Sequence, residues 1–180
     1  MSGSGLDLAL DLTLVTPAER GVLEQLMQLY LHDFSQFAEI GSPHGELGED
    51  GRFTYPHLAS YWAEADRKPL ILRVAGRLAG FALVNRRFVT GLTGDHAMAE
   101  FFIARKYRRA GIGSAAARRI FGRFPGRWEV AVAQYNPEAL LFWRKAVAGA
   151  DGIGDVTEHV GDGKLWTGTI LRFMSRAATQ

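Results

Sequence analysis

Glu100 is the only charge in the apolar run Ala97–Ala104, and within a few residues the chain becomes basic and glycine-rich, reading Phe-Phe-Ile-Ala-Arg-Lys-Tyr-Arg-Arg-Ala-Gly-Ile-Gly-Ser to Ser114. The two features suit different chemistry. A carboxylate buried in an apolar strand loses solvation of its charged form, so its pKa rises toward values useful to a general base. The alternative for Glu100 is a structural pairing with an arginine. A strand that passes through a basic loop into a glycine-rich helix start suits phosphate, because the unpaired N–H groups of a first helical turn converge on an anion and the helix dipole adds positive potential. Gly111 and Gly113 remove the Cβ atoms that would hold a pyrophosphate away, and Arg108 adds a formal charge. Glycines that merely cap a helix are the plainer reading of the same pair.

Gly111-x-Gly113-x-x-Ala116 also satisfies a dinucleotide-binding fingerprint. Its context does not: six residues, Arg105–Ala110, separate strand and glycine, and Glu129 stands at the start of the next strand rather than at its end. No Gly-x-x-x-x-Gly-Lys-Ser/Thr loop occurs.

The elements that must position these residues read clearly from periodicity. Leu6, Leu8, Leu10, Leu12 and Leu14 alternate with polar or small residues as in a half-buried strand. Thr16-Pro17-Ala18-Glu19 is a capping box with proline at the first helical position, and it opens a helix to about Phe37. On that helix Asp33 falls inside the apolar arc that includes Leu23, Met27 and Tyr30. An acid there either binds a cationic group or hydrogen-bonds a neighbouring polar group. A loop over Gly41–Gly51 and a short helix around His57–Ala65 follow. Strands Pro69–Ala75 and Leu78–Val89 meet at Gly76-Arg77, and Ala97–Ala104 reads as a central strand. Beyond the basic loop come a helix from Gly111 to about Phe124, a strand Trp128–Ala133, a helix Pro137–Ala148, and strands near Val156–Val160 and Leu165–Phe173. This order implies an α/β domain with one mixed sheet and helices on both faces.

Composition bounds the function. The 180 residues are 47% apolar and 22% charged with no cysteine, which fits one soluble domain and excludes disulfide scaffolds, thiolate nucleophiles and cysteine metal sites. The five histidines are too scattered for a metal site, so no metal is expected. No run approaches the roughly 20 apolar residues of a membrane span, and no signal-peptide pattern opens the chain, so a cytoplasmic protein is expected. Residues 1–66 hold 11 acids against two arginines, whereas 67–180 hold 19 Lys/Arg against eight acids. The two parts should attract ligands of opposite sign. A nucleic-acid-binding domain is the reading the basic density alone would suggest, but aromatic or base-reading partners on an exposed helix are missing.

With Arg108-x-x-Gly111-x-Gly113 after a strand ending Phe102-Ile103, the chain resembles the GNAT superfamily of acyl-CoA-dependent N-acetyltransferases. A second stretch, Asn136-x-x-Ala139-x-x-Phe142-Trp143-Arg-Lys, resembles the family's other signature, with Trp143 where a tyrosine is usual. The resemblance covers nearly the whole chain. It implies a single acetyltransferase domain over 1–180, with flexible ends at 1–5 and 174–180, and a mostly antiparallel sheet of about seven strands splayed at Ala97–Ala104. It implies acetyl-CoA as cosubstrate, its pyrophosphate held by Arg108, Arg109, Ala110, Gly111, Ile112, Gly113 and Ser114. The pantetheine would run between Phe102 and Ile103 on one side and Asn136, Phe142 and Trp143 on the other. Glu100 would be the base, Tyr30 and Asp33 would face the acceptor, and Tyr30, Tyr107 or Tyr135 would replace the missing tyrosine as proton donor. The implied reaction is direct acetyl transfer to a primary amine, small or peptidic, with a cationic acceptor favoured by Asp33 and by the loop acids Glu46, Glu49 and Asp50. A homodimer is compatible with this. The alternative within the family is an acyl-CoA-binding module that no longer catalyses, which Trp143 encourages.

Overall fold

The computed structural model describes residues 9–177. Seven strands form one open sheet: β1 (Leu10–Leu14), β2 (Lys68–Val74), β3 (Arg77–Asn85), β4 (His96–Ile103), β5 (Gly126–Ala133), β6 (Ile153–Val160) and β7 (Gly168–Ser175). Their spatial order is β1-β2-β3-β4-β5-β7-β6, and every neighbouring pair is antiparallel except β4 and β5. The helices are α1 (Arg20–Ser35), a short α2 (Ser60–Ala63), α3 (Ile112–Arg123) and α4 (Pro137–Ala148). Leu6 and Leu8 of the alternating leucine run lie outside the described residues, as does the expected flexible end 1–5.

Alternation along the strands divides the core in two. On β3, Phe81 and Leu83 meet Leu23, Met27 and Tyr30 of α1 on one face, while Ala82 and Val84 join the cluster under α3 and α4 on the other. The second cluster is aromatic at its centre. Trp128 and Phe121 meet edge to face at 5.0 Å, and Phe173 contacts Phe121 at 4.9 Å.

Two expected boundaries move. The helix foreseen from Pro17 begins as a 3-10 turn over Pro17–Glu19 before α1 takes over at Arg20, with the Glu19 side chain accepting from the Thr16 N–H at 3.1 Å. Met174 and Ser175, expected in a flexible tail, are instead the end of β7, paired with Gly154 and Ile153 on one side and with Arg127 and Gly126 on the other. The Ser175 hydroxyl also donates to the Phe121 carbonyl at 2.8 Å, which ties the strand end to α3.

One topological feature positions the site. β4 and β5 pair only at His96↔Trp128 and Ala97↔Glu129, so from Met98 onward the two strands diverge. The divergence leaves the β5-facing edge of Met98–Ile103 without a strand partner, and clefts open along it.

Candidate active site

The basic turn leaves β4 through a 3-10 turn over Arg105–Tyr107 and enters α3 at Gly111, its N-cap. Gly111 adopts φ +80°, a left-handed conformation that costs a residue with a Cβ about 1–2 kcal/mol. Arg109 shares that conformation at φ +62°. The glycine cap offers no side-chain acceptor, so the N–H groups of the first turn of α3 are left for a ligand. Gly113 has a different reason to be glycine. A Cβ there would stand 3.2 Å from Cε2 of Phe142 and 3.5 Å from Cγ1 of Ile103, so the residue lets α3 approach α4 and β4 closely.

A cleft of about 490 Å³ lies over this turn. Phe102, Ile103, Arg108, Arg109, Gly111, Gly113, Ser114, Asn136 and Phe142 line it, and so do Tyr30 and Asp33. Three residues expected here do not. Ala110 is exposed beside the cleft, and the Ile112 side chain is buried in the core. Trp143 is buried too, packed edge to face on Phe101 at 5.1 Å and on Phe142 at 4.9 Å, and it faces the next cavity along the groove. Asn136 caps α4, its Oδ1 accepting from the Ala139 N–H at 3.1 Å.

Glu100 lines that next cavity, of about 480 Å³, which shares Tyr30, Phe34, Phe101, Asn136 and Ala139 with the first. Its Oε2 accepts from the Tyr30 hydroxyl and its Oε1 from the Tyr55 hydroxyl at 2.9 Å. Burial pushes the Glu100 carboxyl above its ordinary value, and the hydrogen bonds from Tyr30 and Tyr55 partly oppose the rise. No arginine or lysine pairs with it among the described residues. Tyr30 and Tyr55 are themselves pushed up, first by burial and then by the Glu100 charge, so both stay protonated donors.

Asp33 has two arginine partners, and His32 Nδ1 stands 4.0 Å from its Oδ1. Its Oδ1 accepts from Arg105 Nη2 at 2.7 Å and Nε at 3.2 Å, and its Oδ2 from Arg108 Nη2, while Arg108 Nε donates to the Ile103 carbonyl at 2.6 Å. Asp33 is thus the counter-ion that straps the basic turn to α1, not a free carboxylate waiting for an ammonium. Burial works to raise its pKa, but the hydrogen bonds and charges of Arg108 and Arg105 outweigh it and leave the carboxyl below its ordinary value. A depressed carboxyl stabilises the fold above its ordinary range and ceases to do so as pH falls through the folded value. Asp33→Asn should therefore lower the melting temperature near neutral pH by the equivalent of about 1 kcal/mol, since the arginines are largely exposed. The difference from wild type should vanish in acid, and the amine KM should not move; thermal melts at two pH values and an amine titration check both.

The tyrosines foreseen as proton donors separate. Tyr30 is committed to Glu100, and Tyr107 packs against the core beside Lys106. Tyr135 is half exposed on the cavity that holds Glu100, its ring tilted against Phe37 at 5.2 Å, and burial followed by the Glu100 charge raises its hydroxyl pKa. The acids Glu46, Glu49 and Asp50 stand exposed on their loop, where Asp50 caps the Arg52 N–H at 3.1 Å. Tyr55 carried no signal in the sequence, being an irregular loop residue. Glu129 did carry one: it is the only acid in an apolar strand, as Glu100 is, and it is buried with its oxygens on the Val89 N–H at 2.6 Å and the Thr90 hydroxyl at 2.7 Å. Among the described residues no three His, Asp or Glu side chains gather as a metal site, and no helix is long and apolar enough to cross a membrane.

A family model described as the acetyltransferase (GNAT) family matches residues 23–147. The chain belongs to the GNAT acetyltransferase family. The match runs from α1 through the glycine turn to α4, so it contains the glycine turn, Glu100, Tyr30, Tyr55, Asn136 and Trp143. Solved structures of the same fold include an acetyltransferase from Thermus thermophilus, 18% identical over 92% of this chain and 95% of that one with a TM-score of 0.61. The GNAT domain of S. lividans PAT is 14% identical over 92% and 89%, also with a TM-score of 0.61. A spermidine N-acetyltransferase from Vibrio cholerae, solved with CoA and spermine, is 14% identical over 92% and 94% with a TM-score of 0.55. A search of curated protein sequences found no match. This GNAT chain is an acetyltransferase by family, and at such identities the solved structures speak for its fold alone.

Proposed function

We propose that this chain transfers an acetyl group from acetyl-CoA to a primary amine by direct attack within a ternary complex. The observation that carries this reading is the junction of the glycine-turn cleft with the cavity of Glu100, a carboxylate held by two tyrosyl hydroxyls and by no basic side chain among the described residues. The N–H groups at the start of α3 suit the pyrophosphate of CoA, and the edge of β4 that β5 leaves open suits the amides of pantetheine, although the Ile103 carbonyl on it already accepts from Arg108. Acetyl-CoA supplies the activated thioester.

An amine reaches the groove as an ammonium cation and must lose a proton before its lone pair attacks the thioester carbonyl. Glu100 accepts that proton, directly or through a water, with Tyr30 and Tyr55 fixing the carboxylate and stabilising its ionised form. The C–N bond forms as the C–S bond breaks, the nitrogen gives up its second proton as the amide forms, and the thiolate takes one, so the net proton released is the one held by Glu100. Tyr135 is the hydroxyl available to the thiolate, since its raised pKa keeps it protonated and it makes no hydrogen bond to another described residue. Tyr135→Phe should lower kcat several-fold, less than the roughly 10²–10⁴-fold typical of a general acid or base because a thiolate leaves readily, and leave acetyl-CoA affinity intact; steady-state kinetics with calorimetry of acetyl-CoA binding separate the two.

The deciding experiment is CoA release from acetyl-CoA over a panel of primary amines. Turnover with one or more amines supports the transferase reading, whereas tight acetyl-CoA binding without turnover would favour a non-catalytic acyl-CoA-binding module. The polyamine named with the Vibrio cholerae structure is one member of such a panel, and a cytoplasmic location suits the cosubstrate.

A further inference from the structure

Beyond Glu100 the groove continues into a third cavity of about 680 Å³. It shares Tyr55, Met98, Ala99, Glu100 and Trp166 with the cavity before it, so an acceptor lying there can reach the base. Its far wall is built on charge. The Glu64 carboxylate takes Arg67 Nε at 2.9 Å, Arg67 Nη2 at 3.3 Å and Arg87 Nη2 at 3.2 Å. One carboxylate faces two guanidiniums, and the wall carries one positive charge in excess.

Two other acids line this cavity: Glu100, which the reacting amino group itself meets, and Glu129, which cannot offset that excess. Glu129 is 2% exposed, both its oxygens are engaged by Val89 and Thr90, and Arg172 stands 4.0 Å away. The two arginines differ in freedom. Arg67 is fixed, with a side chain 9% exposed and its guanidinium 5.0 Å from the centre of the Tyr61 ring. Arg87 is 70% exposed and spends a single N–H donor on Glu64, so most of its fork is open to a ligand. A polyamine extended from Glu100 into this space would bring a second ammonium against the arginines, which costs Coulomb energy. A carboxylate would gain a charge-assisted contact there.

We propose that the acceptor is a small amino-carboxylate, an amine of the amino-acid class whose carboxylate docks on the Arg67/Arg87 wall while its amino group meets Glu100. This rests on the reading of Glu100 as the base. It makes Arg87 a specificity-determining residue, one that distinguishes acceptors by the group they carry away from the reacting amine.

The test compares matched pairs with the full chain: phenylalanine with phenethylamine, tyrosine with tyramine, and alanine with ethylamine, together with spermidine, all read by CoA release. In at least one pair the amino acid is expected to exceed its decarboxylated partner in kcat/KM by about tenfold or more. Arg87→Ala should raise the amino acid's KM and collapse that ratio, Arg87→Lys should keep part of it, and added salt should shrink it because Arg87 is exposed to solvent. Acetyl-CoA affinity serves as the folding control for each variant. Spermidine or the decarboxylated amines reacting as well as every amino acid, or a preference that survives Arg87→Ala, overturns this proposal and leaves the transferase reading standing. Release with no amine at all overturns both.

Discussion

Glu100→Gln is expected to lower kcat/KM about 10²-fold or more near neutral pH, the usual contribution of a general base, and to remove the acidic limb of the pH profile. Glutamine keeps the shape, its amide oxygen accepting from one of the two tyrosines while its NH2 donates to the other, but it cannot hold a proton taken from the amine. In the wild type the base works only when ionised. Burial holds the Glu100 carboxyl above its ordinary value, so activity should climb as pH rises through that elevated value. Tyr55→Phe provides an independent check on sign: it removes a donor that favours the ionised form, so the limb should move to higher pH. Stability gives a second readout. A carboxyl whose folded pKa is raised favours the protonated fold, and stability falls as pH rises from the ordinary carboxyl range toward the folded value. Glutamine avoids that loss, so Glu100→Gln should melt no lower than wild type at neutral pH. An unchanged pH profile with full activity would return Glu100 to a structural role.

How far this site was readable depends on which contacts are local. Glu100 stood out because a lone charge in an apolar run has to be explained, and the glycine turn stood out because strand, basic loop and helix start are contiguous in sequence. The splay of the sheet at β4 followed from the family resemblance, and the pairing of β4 with β5 at only two positions agrees with it. Long-range contacts were not readable. Asp33 meets Arg105 and Arg108 across 72 and 75 residues, and only the packing of α1 over the end of β4 brings them together. The periodicity that placed Asp33 on the apolar face could not distinguish an ammonium from a guanidinium as its partner. Tyr55 reaches Glu100 from an irregular stretch with no period to read, and the excess charge around Glu64 arises where α2, the turn before β2 and the end of β3 converge. Glu129 carries the same local signal as Glu100. The logic that selected Glu100 applies to the strand Trp128–Ala133 as well, but the hydrogen bonds that occupy Glu129 come from the loop after β3, whose path the sequence does not fix.

Gly113→Val should weaken acetyl-CoA binding by tenfold or more, roughly 1.4 kcal/mol, while the fold survives. The sequence suggests that a side chain at this position would press directly on the pyrophosphate; the structure gives a different route to the same loss. The Cβ would point at Phe142, 3.2 Å from its ring, and valine adds two methyl groups to an approach that is already tight. Phe142 has little room to retreat, since it stacks on Phe101 at 5.7 Å and meets Trp143 edge to face at 4.9 Å. Either the ring swings into the cleft it lines, or the first turn of α3 lifts away from β4, and both displace the N–H groups proposed to hold the pyrophosphate. Overpacking of this kind costs stability as well, typically about 1–3 kcal/mol, so the binding loss has to be separated from unfolding. Gly122, later on the same helix, supplies the control: a Cβ there meets nothing within 4 Å, and Gly122→Ala should stabilise the protein by about 0.5–1 kcal/mol. Combining Gly113→Val with Gly122→Ala restores part of the stability without touching the turn. If calorimetry on the combined, folded variant still shows weakened acetyl-CoA binding, the turn is the pyrophosphate site; if affinity returns to that of the wild type, the cosubstrate is held elsewhere and Gly113 serves only the packing of α3 on α4.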